Sequence, residues 1–206
     1  MLVRWVLVVT LGEAVGFSVP AVVGVAVTGA PWGPRATLVA LVLAGSVEGA
    51  LLGAAQADCL YRWRVLPARR WWVVATSVGA AVAWSIGMLP STFDLRWTAE
   101  TAVVAGVGGL MLLTSLPLAQ YFVLRGHVRR AARWIPINIA AWLLGIAWTL
   151  APSPVVVEST PAGALIVIYG IAGLCMAATV AVVTGLGMIR LLQPIEAERS
   201  RAPRAC

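Results

Sequence analysis

The sequence predicts an all-α fold, a polytopic membrane protein with six transmembrane helices. Of its 206 residues, 61% are hydrophobic and only 11% are charged, and the mean hydropathy is +0.92. A surface this apolar has to face lipid. Six apolar runs of about 20 residues, the length that crosses the hydrocarbon core of a bilayer, are separated by short polar stretches. These runs use most of the chain, so we expect one membrane domain over 1–206.

The arginines predict the orientation. All fifteen basic residues are arginine, and thirteen of them precede the first span, follow the sixth, or lie in the loops after the second and fourth. The other three loops carry only Arg35 and Arg96. Because basic residues in short loops mark the cytoplasmic side, both termini should be cytoplasmic. The absence of lysine indicates GC-rich coding, and we expect a bacterial cytoplasmic (inner) membrane.

The first two spans are predicted at 5–27 and 37–61. Glu13 and Pro20 interrupt the first run, and its length exceeds the apolar region of a cleavable signal peptide, which is the alternative interpretation. In the second span, glycines recur every fourth residue at Gly45, Gly49 and Gly53. This spacing lets a neighbouring backbone approach one helix face, so we expect the second helix to be central.

The remaining spans are predicted at 71–89, 99–124, 134–150 and 162–192. We expect the third to end at Pro90, and Pro117 to kink or loosen the fourth. Pro136 falls in the first turn of the fifth span, where proline is tolerated. The sixth run is longer than a bilayer requires, which predicts tilt or an extension into the cytoplasm.

Most of the ten tryptophans lie near predicted span ends. Tryptophan is favoured at the headgroup level, so we interpret eight of them as an aromatic belt that needs no ligand: Trp5, Trp32, Trp63, Trp71, Trp72, Trp97, Trp134 and Trp148. Trp84 and Trp142 lie deeper. We interpret both as packing residues whose indole N–H groups need partners.

One helical hairpin is predicted to occur twice, over 45–87 and 109–150. Residues recur at an offset of 64 and, after a one-residue slip in the turn, of 63: Gly45, Gln56 and Leu60 match Gly109, Gln120 and Leu124, then Arg70 and Trp71 match Arg133 and Trp134. Each copy carries a glutamine near its arginine-rich turn and leaves through a tryptophan. Two spans per unit would make this a parallel repeat about an axis along the membrane normal.

Three stretches also resemble a group of bacterial multi-pass membrane proteins of unknown function: EGALLGAAQ, RRWWVVATSVGAAVAWSIGMLPS and LAQYFVLRGHVRRAARWIPINIAAWLLG. A glutamine–arginine hairpin recurs in that group, and YGIAGLCMAATVAVVTGLGMIRLL is similar to its last helix. The resemblance covers most of the chain from Gly45 onward and implies a polytopic membrane protein without an assigned activity. Leu112 stands where the repeat would place a counterpart of Glu48, so any role of that carboxylate is confined to the first copy.

Two carboxylates are predicted near the bilayer midplane. Glu13 lies about nine residues from the start of the first span and Glu48 about thirteen from the end of the second, at 1.5 Å of rise per residue. A charged side chain at this depth costs about 2.5–3.5 kcal/mol, so such residues usually face the bundle interior. Either the pair forms a proton- or cation-binding site of a coupled transporter, or each is protonated and hydrogen-bonds a neighbouring helix.

Polar side chains nearer the arginine-rich turns form further candidate sets. Gln56 and Gln120 can bond to each other, contributing roughly 0.6–2 kcal/mol, or gate a cytoplasmic mouth. Asn138 is a candidate third member of that layer, and Asp58 is expected to pair with Arg62 four residues on. The arginines of the two turns are candidate contacts of anionic lipid headgroups, with a phosphorylated ligand or an acidic partner protein as the alternative: Arg62, Arg64, Arg69, Arg70, Arg125, Arg129, Arg130 and Arg133.

Known catalytic and nucleotide-binding motifs are absent from the sequence. The single histidine, His127, and the three cysteines, Cys59, Cys175 and Cys206, form no metal-site or disulfide pattern. We expect no enzyme, no cofactor, no metal and no nucleic acid. The leading expectation is small-solute or proton-linked transport through a polar path lined by Glu13, Glu48, Gln56 and Gln120.

The rival expectation is a non-transporting membrane interaction or assembly protein. Its glycine-rich helix faces would bind another membrane subunit or a second copy of the chain.

Overall fold

This computed structural model describes residues 1–28, 30–92, 98–154, 156–157 and 159–201, without the side chains at 28, 99, 162 and 194–201. Arg96, Trp97 and Cys206 lie outside these residues. Over the described ranges the chain forms six long α-helices and a short 3-10 turn, with no strand.

The helices are α1 (Leu2–Thr28), α2 (Pro34–Arg62), α3 (Arg70–Thr92), α4 (Ala99–Leu124), α5 (Trp134–Leu150) and α6 (Ala162–Arg201). Each is long and apolar enough to cross a membrane, which confirms the prediction of an all-α polytopic membrane protein. Their ends lie within three residues of the predicted ones, except that α6 continues to Arg201.

Prolines inside the helices do not end them. The helix α3 runs past Pro90, which was expected to stop it, and the hydroxyls of Ser91 and Thr92 donate to the Met88 carbonyl in the last turn. These two side-chain hydrogen bonds stabilise the last turn of α3, in which Pro90 has no backbone N–H to donate. Helix α4 is likewise continuous through Pro117, and α1 through Pro20.

The six helices close into a ring in chain order. Each helix packs against the next, and α6 packs against α1. The smallest of these interfaces is the one between α4 and α5. One end of the ring carries the two arginine-rich turns, 63–69 and 125–133, and the N-terminus. We call it the arginine end, and the other end the opposite end.

The glycines of α2 that recur every fourth residue pack against another helix of the ring. A Cβ atom on Gly49 would lie 2.8 Å from the Thr76 carbonyl oxygen, and one on Gly53 would lie 2.8 Å from the Thr76 Cβ. A Cβ on Gly45 would clash with the Trp84 indole. Helix α3 therefore packs directly on the glycine face of α2, as the spacing of four predicts.

An ion-pair cluster ties the arginine end together. The Asp58 carboxylate accepts from Arg62 at 2.9 Å, as expected, and also from Arg4 of α1 and Arg69 of the α2–α3 turn at 3.0 Å each. Arg69 additionally lies over the Tyr61 ring, at 4.5 Å from its centroid. One partly buried carboxylate thus joins α1, α2 and the turn that leads into α3.

Candidate functional site

The two predicted carboxylates meet in the middle of the ring. Gly16, one turn after Glu13, lets α1 approach α2 so closely that an added Cβ would lie 3.1 Å from the Glu48 carbonyl oxygen. Glu13 is fully buried, and no described N–H or O–H group donates to either of its carboxyl oxygens. The neighbouring ionisable group that interacts with it is the Glu48 carboxyl.

Two carboxyl groups this close on adjacent helices could share one proton. Two carboxylates repel each other and neither carries a donor, so a hydrogen bond between them forms only when one retains its proton. Glu48, 7% exposed, also accepts a 2.8 Å hydrogen bond from the Trp84 indole N–H. The deep tryptophan that we interpreted as a packing residue is therefore also a partner of the carboxyl pair.

Glu48 forms part of the wall of a central cavity of about 340 Å³. All six helices contribute to the lining, which is mostly aliphatic and includes the aromatic rings of Phe17, Trp84 and Trp142. The cavity extends from the level of Glu48 toward the opposite end, where Met88 of α3 and Thr149 of α5 lie near their helix ends. A single carboxyl thus faces a mostly apolar cavity.

The two glutamines form a separate layer, closer to the arginine end. The Gln120 amide donates to the Gln56 carbonyl oxygen at 2.8 Å and to the Thr76 hydroxyl at 2.9 Å. Trp72 donates to the same Gln56 oxygen at 3.0 Å, and Trp134 to the Gln120 oxygen at 2.8 Å. All five side chains are at most 1% exposed. Neither glutamine lines the central cavity.

Aromatic stacking completes this layer, which we call the tryptophan–glutamine layer. The Trp134 ring packs on Trp72 and Trp5, with centroid distances of 6.0 and 6.4 Å, and Trp5 stacks on Trp63 at 5.4 Å. The Trp5 indole donates to the Thr184 hydroxyl of α6 at 3.2 Å. Side chains from all six helices therefore fill the ring at this level.

These contacts correct the aromatic-belt interpretation for Trp5, Trp72 and Trp134. All three are completely buried, whereas Trp71 is 58% and Trp32 53% exposed, as expected of belt residues. The depth of a tryptophan in the membrane is the same in an aromatic belt and in a buried layer. Only the helix face on which it lies distinguishes the two roles. The sequence signal that was missed is the pairing of each buried glutamine with a tryptophan at the start of the following helix.

The two hairpins make corresponding contacts. Trp72 and Trp134 each donate to the glutamine of the preceding helix, and four residues later Thr76 and Asn138 each donate to the carbonyl of that tryptophan. In these contacts the residue that corresponds to Trp134 is Trp72, at an offset of 62, whereas the sequence alignment pairs Trp134 with Trp71. Asn138 is buried like the layer residues, and its side chain donates to a carbonyl of its own helix.

The eight candidate lipid-contact arginines are all exposed at the arginine end. Two of them are engaged by Asp58, and Arg70 and Arg125 lie over the rings of Trp71 and Phe122. Arg64 has a positive φ of 58° and lines an open cleft of about 590 Å³ with His127. Among the described residues no group of three or more His, Cys, Asp or Glu side chains could hold a metal ion.

No protein-family model, curated protein or solved structure matches the chain.

Proposed function

We propose that this protein is a proton-linked transporter of a small solute, with the Glu13–Glu48 pair as the proton site and the central cavity as the solute site. One observation carries the proposal: Glu48 belongs to both. Its carboxyl faces Glu13 on one side and the cavity on the other. A solute in the cavity and a proton on the pair therefore act on the same group, which is the physical requirement for coupling two fluxes.

The tryptophan–glutamine layer acts as the closed barrier of this transporter. It fills the ring between the cavity and the arginine end, and the indoles of Trp72 and Trp134 and the Gln120 amide donate to buried acceptors. Transport requires this layer to part while the cavity closes at the opposite end. In this assignment Gln56 and Gln120 guard the path rather than bind the solute.

The test is proton movement in proteoliposomes that contain a pH-sensitive dye. Benzyltrimethylammonium, benzenesulfonate and benzamide are added separately as a cationic, an anionic and a neutral probe. We expect at least one of them to change the internal pH. Glu48→Gln should abolish that change because the amide cannot exchange a proton, while Glu100→Gln, an exposed carboxyl at the start of α4, should retain it. The same response from Glu48→Gln, or none from the wild-type protein, would refute the proposal.

The distribution of arginines supports an orientation in the membrane. We propose that the arginine end faces the cytoplasm of a bacterial cell, with its exposed guanidinium groups on anionic lipid headgroups.

We also propose that the two hairpins derive from one repeated unit, which the matching tryptophan–glutamine contacts support. No catalytic role is assigned to any residue.

The rival function, a membrane assembly protein, rests on glycine faces that remain outside the ring. A Cβ atom on Gly106 of α4 or on Gly163 and Gly170 of α6 would meet no atom within 4 Å. The ladder that suggested this function, however, packs against α3. Chemical cross-linking in native membranes decides between the two: capture of a defined subunit through α4, without proton movement in liposomes, would favour assembly.

A further inference from the structure

The structure also indicates the chemical class of the solute, provided that the proposed transport function holds. We propose that the central cavity binds a small organic monocation with a mostly apolar surface, such as an aryl- or alkylammonium ion, and that this cation competes with protons for the Glu13–Glu48 pair. The inference rests on the charge balance of the bundle, the lining of the cavity and its volume.

Among the residues that the structure describes, no base lies inside the ring to neutralise the carboxyl pair. In the helices, the charged residues other than Glu13 and Glu48 lie near the helix ends: Arg4 in α1, Arg35, Asp58 and Arg62 in α2, Arg70 in α3, Glu100 in α4, and Arg190 to Arg201 in α6. Arg125 and Arg133 flank α4 and α5 at the arginine end, and the side chains of Tyr169 and Cys175 in α6 carry no positive charge. Negative charge on the pair can therefore be balanced only by protons or by a cation that enters the ring.

The cavity wall selects what kind of cation this is. Phe17, Trp84 and Trp142 contribute aromatic rings to the wall, and aromatic rings attract alkylammonium groups. The remaining lining is mostly aliphatic, with Thr149 as a further polar side chain. A metal ion would find one carboxyl and too few oxygen ligands, and a sugar or an amino acid would leave its polar groups unpaired.

The volume limits the size. A cavity of about 340 Å³ lies at the lower end of ligand sites, and at roughly 30 Å³ per water-sized group it holds on the order of ten non-hydrogen atoms. One aromatic ring with a quaternary ammonium head has this size. An anion of the same size would face Glu48 without a basic partner and is excluded by repulsion.

Calorimetric titration of the full-length protein with benzyltrimethylammonium chloride tests the inference. The neutral comparison is 2,2-dimethylpropylbenzene, in which carbon replaces the charged nitrogen. We expect the cation to bind at least about tenfold more tightly, and its affinity to fall toward low pH by up to about tenfold per pH unit, the limit for exchange of one proton. Titration in two buffers of different ionisation enthalpy should report the released proton.

Three variants complete the experiment. Glu48→Gln should lose most of the binding, whereas Glu100→Gln should bind like the wild type. Because a change in the pair could also impair folding, Ala83→Leu fills the cavity without altering a carboxyl and should likewise abolish binding. Equal affinity for the neutral compound, or cation binding that does not depend on pH, would overturn the inference.

Failure of this inference is distinguishable from failure of the transport proposal. If the cation does not bind but benzamide moves protons in the liposome experiment, the solute class is wrong and proton-linked transport stands. If the cation binds and releases protons but no probe moves protons across the membrane, the site is correct and the transport proposal is wrong.

Discussion

At the scale of single residues, the buried indoles determine how the two glutamine amides are oriented. An indole N–H can only donate, so Trp72 and Trp134 require the oxygens of Gln56 and Gln120 to face them. The Gln120 nitrogen is then left to donate to the Gln56 oxygen and to Thr76. The network has one arrangement, and removal of any acceptor leaves buried donors without partners.

Replacing Gln56 by Leu tests this network. The change removes the acceptor of both the Trp72 indole and the Gln120 amide, and an unpaired buried donor costs about 1–3 kcal/mol. We expect the free energy of unfolding in detergent micelles to fall by at least that amount. Gln193→Leu, at an exposed position of α6, is the matched control and should change stability little. Equal stability of the two variants would show that the bonds contribute nothing.

The depth of a residue in the membrane could be predicted from the sequence. Whether its side chain faces the bundle interior or the lipid could not. Counting residues from the span ends predicted that Glu13 and Glu48 share a level, and the structure brings them together. The same counting assigned Trp5 and Trp71 to one belt, although the first is buried and the second exposed. Helix rotation sets that difference, and hydrophobic residues around the whole circumference of a membrane helix leave no pattern to read it from.

At the scale of helices, α2 and α3 are joined through backbone rather than through large side chains. The glycine ladder removes the side-chain layer that normally separates two helices, so Thr76 and Ser77 lie directly on α2. This approach positions Trp84 to reach Glu48 and Trp72 to reach Gln56. The periodicity of four predicted the close approach, while the partner helix had to come from the structure.

Gly49→Ala should loosen this interface. Its Cβ would lie 2.8 Å from the Thr76 carbonyl oxygen and 3.1 Å from the Ser77 Cα, and overpacking of this kind costs about 1–3 kcal/mol. We expect a lower midpoint of thermal unfolding in micelles. Gly106→Ala on the outer face of α4, where the added atom meets nothing within 4 Å, should leave the midpoint unchanged or raise it slightly. A tolerated Gly49→Ala would contradict the backbone contact.

At the scale of the whole molecule, the arginines and the barrier lie at the same end of the ring. The tryptophan–glutamine layer closes the end that carries the exposed guanidinium groups, and the cavity lies toward the end that has few charges. The proposed orientation would therefore direct the cavity away from the cytoplasm.

Reporter fusions measure that orientation. A fluorescent protein that matures only in the cytoplasm should be bright when fused after Arg69, and alkaline phosphatase, active only outside, should be active when fused after Gly33 in the α1–α2 loop. The opposite pattern at both positions would invert the molecule and turn its cavity inward. Fusions at the two sites control each other, since one helix separates them.

Ring order also has a consequence for biosynthesis. Every helix packs on the one that left the ribosome before it, so a nascent chain can assemble stepwise as it enters the bilayer. Closure waits for α6, the last of these six helices to be made, which supplies Thr184 as the acceptor for Trp5. A chain that stalls after α5 is therefore an open arc whose first helix carries an indole N–H without its acceptor.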